Sequence, residues 1–225
     1  MDRLFLMALT FGVVAVGADA GMTDPSCPHH GSSAEVLTFP MGFARFRPGR
    51  DATVAVPQEY LRPWVRARLA RDGGDGAISL FVELPDLAPL YDGADLRAEV
   101  PEDDRGRILV EPGMDLAEQL AIAVGADAAD RAVREGDMDD AEPARWQGLR
   151  PVPGALMGQE LVAVEGGAVI LLANCQDGRV PICTARATSG DLTAQVVFRQ
   201  DHLADWRTLH TRAVGLLDCL AAPPR

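Results

Sequence analysis

Between Glu160 and Phe198 the chain carries four apolar runs joined by short turns, and that spacing leaves little choice of architecture. Glu160–Glu165 and Ala168–Asn174 flank Gly166-Gly167, a two-glycine hairpin signature. Cys175 and Cys183 then bracket Gln176-Asp177-Gly178-Arg179-Val180-Pro181-Ile182, seven residues with an Asp-Gly turn signal and a proline that cannot donate to a ladder. Ile182–Ala187 leaves this turn, Ser189-Gly190-Asp191 reverses the chain again, and Leu192–Phe198 completes an antiparallel meander. From Asp201, read as the helix cap, an amphipathic helix runs to about Leu220. Leu203, Trp206, Leu209 or His210, Ala213, Leu217 and Leu220 make its apolar stripe, which must lie on the sheet. Strands followed by a covering helix define an α+β fold: an antiparallel sheet, the C-terminal four-strand meander, under a C-terminal amphipathic helix.

The organisation upstream is looser. Residues 1–20 read as a signal peptide, 21–35 as an N-terminal arm, 36–134 as an N-terminal α+β part, 135–158 as an acidic Pro/Gly-rich loop or linker, and 159–222 as the meander with its helix. Val36–Phe39, Phe43–Phe46, Thr53–Val56 and Arg107–Glu111 are short strand candidates. Ala77–Leu84 alternates with period two, Ile78, Leu80, Val82 and Leu84 on one side and Ser79, Phe81 and Glu83 on the other. Trp64–Ala70 has helical character that Pro63 interrupts. Asp115 caps a helix to Val124 that Gly125 ends, and Asp127–Arg134 continues as a separate turn or helix. Gln58-Glu59-Tyr60-Leu61-Arg62-Pro63-Trp64 echoes Gln200-Asp201-His202-Leu203-Ala204-Asp205-Trp206 in its Gln, Leu and Trp, a match read as coincidence.

The N-terminus sets the compartment. Met1-Asp2-Arg3, an apolar run over Leu4–Val16 and Ala18-Asp19-Ala20 have the order of a secretory signal peptide cleaved after Ala20. The run is too short to span a bilayer, and no cysteine follows it where lipidation would need one. The expected product is periplasmic or extracellular, with no stable membrane insertion. Cleavage removes Asp2, Arg3 and Asp19, so a net charge of −12 becomes −11. Such a surface repels nucleic acid and anionic lipid and suits a basic protein as partner. The chain contains no lysine, which excludes Schiff-base chemistry, P-loop phosphate binding and Ser-Lys hydrolysis.

Four cysteines in an exported chain are read as disulfides. Cys175 and Cys183 close the hairpin neck, which leaves Cys27 and Cys219 to tie the N-terminal arm to the last helix. A closed neck would make Gln176–Pro181 a stiff candidate binding loop. Pro85-Asp86-Leu87-Ala88-Pro89, with Leu90 and Tyr91, is a second apolar segment read for recognition.

Candidate chemistry is sparse. Cys27-Pro28-His29-His30 offers zinc or copper ligands but no second ligand pair at usable spacing, so no metal site is assigned. His202 and His210 stand eight apart on the helix, about 80° around it, and do not share a face. His202 is expected to be an exposed first-turn residue, His210 to border the stripe. The G-x-S-x-G, S-x-x-K and H-E-x-x-H signatures do not occur. Glu102-Asp103-Asp104 and Asp137, Asp139, Asp140 and Glu142 read as solvated loop charge rather than a cation site. No catalytic residue and no cofactor are assigned. The functional reading is an exported, non-enzymatic module that binds a protein or serves the envelope, an inhibitor or immunity-type protein among the forms that fit. An envelope-polymer hydrolase with carboxylates assembled by the fold is the alternative, and a metal-binding arm a weaker one.

Overall fold

The computed structural model describes residues 36–41, 52–72, 76–92, 95–113, 115–136, 148–155 and 158–221. The segment 1–20 read as a signal peptide, the expected arm with Cys27, His29 and His30, the strand candidate Phe43–Phe46, and Asp137, Asp139, Asp140 and Glu142 lie outside them.

β1 (Val36–Met41) and β2 (Ala52–Pro57) pair as a separate antiparallel ladder. A 3-10 turn at Gln58–Tyr60 leads into α1 (Pro63–Asp72). Pro63 opens this helix instead of interrupting it, because the first turn has no use for its missing N–H. β3 (Ile78–Glu83), the short β4 (Ala88–Pro89), and the pair β5 (Tyr91–Asp92) and β6 (Asp95–Leu96) precede β7 (Arg105–Pro112). Next come α2 (Leu116–Val124) and α3 (Ala126–Gly136). The Asp115 carboxylate caps α2, accepting from Ala117 N at 2.7 Å and Glu118 N at 3.3 Å, and Gly125 ends it at φ 90°. β8 (Arg150–Val152), β9 (Gln159–Glu165), β10 (Ala168–Gln176), β11 (Ile182–Ser189) and β12 (Leu192–Arg199) follow, and α4 (Trp206–Ala221) comes last. Gly166 and Gly167 turn the β9–β10 hairpin at φ 57° and 74°, the left-handed values that a type I′ turn requires at both positions.

The meander is the centre of a larger sheet. Eight antiparallel strands run in the order β4-β3-β7-β12-β11-β10-β9-β8, so the Ile78–Glu83 strand joins the same sheet as the C-terminal hairpins. The segment 135–158, read as a loop, contains an edge strand: Arg150–Val152 pairs with Glu160–Val162. The fold is α+β, with four helices among the described residues and α4 packed on β11 and β12.

Alternation along the strands gives the sheet two faces. The inner face carries Leu80, Ile108, Val196, Phe198, Ala185 and Leu171, under Trp206, Leu209, Ala213, Leu217 and Leu220 of α4, with β2 and α1 adding Val54, Val56 and Val65 to one core. Each large aliphatic or phenylalanine side chain among them, fully buried, contributes roughly 1.5–3 kcal/mol, so this layer dominates stability. The Cys175–Cys183 disulfide lies on this face, joining directly paired residues, and both cysteines are buried. On the outer face α2 and α3 cover one end of the sheet, where Leu116, Leu120 and Ala129 pack on Val152, Val162 and Leu172.

Asp201 does not cap α4. Gln200–Asp205 is a 3-10 turn without a side-chain cap, α4 starts at Trp206, and the Asp201 carboxylate faces Arg199 at 3.5 Å. The two echoing segments share one local structure, since each leaves a strand through a 3-10 turn into a helix. Leu61 and Leu203 are both fully buried, but the paired tryptophans differ: Trp206 is 1% exposed and Trp64 60%.

Candidate functional site

The outer face is covered only in part. Among the described residues no helix packs across it over β3, β7 and β12, while α2 reaches β11. Strand register lays out its rows. Phe81, Arg107, Val197 and Thr184 stand side by side in one, and Ser79, Leu109, Gln195 and Arg186 in the next. These side chains are half-buried, except Arg107, which is exposed.

A groove of about 530 Å³ lies along the β3 edge of this face, lined by Arg62, Trp64, Phe81, Tyr91, Leu96 and Val197 among others. Phe81 meets Tyr91 edge to face with ring centroids 6.3 Å apart, and the Arg62 guanidinium lies over Phe81 at 4.0 Å. Arg68 approaches the Trp64 ring at 5.9 Å. Of the large apolar side chains exposed among the described residues, Trp64 and Leu96 line the groove. Ile182 sits on the same face by strand alternation, and Val180 on the turn beside it, which leaves Ile122 of α2 as the exception. Isolated exposed apolar residues need no explanation, but a grouping of Trp, Tyr and Arg on one face has the composition of binding hot spots.

The Gln176–Pro181 loop stands at the end of this face. Gln176, Asp177, Gly178, Arg179 and Val180 are exposed, Pro181 is half-buried, and the Pro181 carbonyl accepts from Gln200 N at 3.1 Å. The other loop read for recognition turns inward, because Leu87 and Leu90 are buried, and only its end, Leu90 and Tyr91, lines the groove.

The remaining candidates have structural partners. His202 is half-buried rather than exposed, its ring nitrogen 3.0 Å from the Asp103 carbonyl and 3.4 Å from an Asp104 carboxylate oxygen. Glu102–Asp104 form an exposed 3-10 turn that Arg199 also grips through Asp103. Burial pushes the half-buried His210 imidazole below its usual pKa. Cys219 is disulfide-bonded, and Cys27 lies outside the described residues. Among the described residues no cluster of His, Cys, Asp or Glu could hold a metal, and no helix is long and apolar enough to cross a membrane.

Sequence reasoning missed the open face and the buried Glu160, which accepts from Asn174 Nδ2 at 2.9 Å. The signal was present in β7, where Arg105, Arg107, Leu109 and Glu111 alternate with Gly106, Ile108, Val110 and Pro112.

No protein-family model and no curated protein matches the chain. Among solved structures it is similar to an immunity protein of the Stenotrophomonas maltophilia type IV secretion system, at a TM-score of 0.47 and 14% identity over 83% of this chain and 95% of that one. That likeness is too distant to carry a function across.

Proposed function

We propose that the chain is an exported, non-catalytic binding protein whose partner protein docks on the open half of the outer face and the adjoining Gln176–Pro181 loop. One observation carries this reading: Trp64, 60% exposed, stands with arginines and half-buried aromatics at a groove that no described helix covers. A tryptophan gains little for folding at such a position, whereas Trp206 in the matching segment is wholly committed to the core. Large rigid aromatics beside arginine supply binding energy at low entropic cost. The disulfide under the loop limits how much order the loop must still acquire on binding. Occlusion of a toxin, the inhibitor or immunity-type role, is one form such binding would take. Export to the periplasm or beyond follows from the N-terminal signal pattern.

Site-specific photocrosslinking in the envelope tests this. A benzophenone amino acid at Leu109, on the open face, should give a discrete adduct that Trp64→Ala abolishes, while the same group at Ile122 should give none. Equal adducts at both positions, or none at Leu109, would remove the open face as an interface.

A further inference from the structure

We infer that the segment bound on the open face is acidic polypeptide, with carboxylates set against Arg107 and Arg186 and an apolar side chain in the groove beside Trp64. This rests on the proposed binding role and adds the chemistry of the partner. The chain has 33 acidic residues to 21 arginines. On this face the carboxylates Glu83 and Glu111 are engaged, while two arginines are left to a partner. Glu83 is held by Arg97 at 2.8 Å, and Glu111 accepts from Gln195. Arg107 and Arg186 make no ion pair among the described residues.

Register places Arg107 and Arg186 two strands and one row apart, about 10 Å across the sheet and about 7 Å along it. An extended segment of about four residues spans that distance. A guanidinium fork matches a carboxylate with two parallel hydrogen bonds, and the half-buried aromatics beside it lower the local dielectric. The chain's net charge of −12 opposes an acidic partner only at long range. Physiological salt screens that repulsion beyond about 8 Å, while contact pairs on a partly dry face survive. A nucleic acid strand is disfavoured, since exposed Asp92 and Asp95 flank the groove residues Tyr91 and Leu96 and would meet its continuous phosphates.

Selection from a random-peptide phage library on the signal-free chain, with its disulfides intact, decides this. The charge-reversal variant Arg107→Glu/Arg186→Glu is compared with a charge-matched control on the covered end, Arg131→Glu/Arg134→Glu, and melting curves confirm that both fold. Enriched peptides should carry two or more Asp or Glu around an aromatic or aliphatic residue. Their affinity should fall roughly tenfold or more in the open-face variant and hold in the control. Peptides that need Trp64 but are neutral or basic would overturn the acidic partner while leaving the binding face intact. A selection that yields no Trp64-dependent peptide would sink both readings. Equal, Arg107-dependent binding of a labelled oligothymidylate would make phosphate, not carboxylate, the ligand chemistry and overturn the inference.

Discussion

One face of one sheet is finished in two ways. Over β8, β9 and β10 it presents Val152, Val162 and Leu172, and α2 and α3 lie on them. Over β3, β7 and β12 it presents Phe81, Arg107 and Val197 in register, and no described helix lies there. The covered strands pay out their alternation: Leu161, Val162 and Ala163 of β9 are buried in succession. In β3 the alternation persists, with Ile78, Leu80 and Val82 buried and Ser79, Phe81 and Glu83 half-buried. An antiparallel sheet tolerates one wet face, so the open half is no defect of folding. Its residues suit that state, since arginine stems and ring faces cover carbon while their polar ends stay in water. The lesson is that apolar character on the open half is surplus to folding, and that surplus is what a partner can use.

The largest test of this contrast uses the two matching tryptophans. Trp206→Ala should cost about 3–5 kcal/mol, because it empties a core position that is 1% exposed. Trp64→Ala should cost less than about 1 kcal/mol in the same denaturant titration. A large loss at Trp64 would mean that the open face is structural after all.

A second test stays within one cross-strand row. Leu109 of β7 and Leu172 of β10 both point to the outer face, joined in register through Gln195 and Arg186. Leu172 is fully buried beneath α2, while Leu109 is half-buried. Leu172→Ala should therefore cost about 2–5 kcal/mol and Leu109→Ala under about 1 kcal/mol, both read from urea unfolding. Equal costs would show that the open half is packed as tightly as the covered one.

Much of the inner layer was legible in the sequence, and little of the outer one. The β9–β10 hairpin announced itself through Gly166-Gly167, and the stripe of α4 through Trp206, Leu209, Ala213, Leu217 and Leu220, because both signals are local. The start of α4 was misread because Asp201 is a good capping type, yet its carboxylate faces Arg199 and the segment takes a 3-10 turn. Pro63 was misread for a similar reason, since its effect depends on whether it stands first or within a helix. The open face was hidden because it is a property of where α2 and α3 stop, not of any one segment. The exposure of Trp64 against the burial of Trp206 shows this most directly, as the two segments agree in local structure and differ only in what tertiary packing places over them.

The smallest expected effect concerns how dry the inner layer is at its border. His210 projects from α4, half-buried, and burial holds its pKa below the ordinary 6.5; Glu165 and a hydrogen bond to the Ile170 backbone pull it upward, and Arg207 pushes it further down. A depressed folded-state pKa means that the unfolded chain takes up the proton first as pH falls. Stability tied to neutral His210 is therefore intact above about pH 6.5 and is lost as pH falls from there through the folded-state value. Every other group is common to wild type and variant, so a difference isolates the imidazole. In urea titrations at pH 8, 6.5 and 5, the stability advantage of wild type over His210→Gln should shrink on acidification. If the advantage grows instead, the Glu165 carboxylate governs this site, and the border of the inner face is as wet as the open half of the outer one.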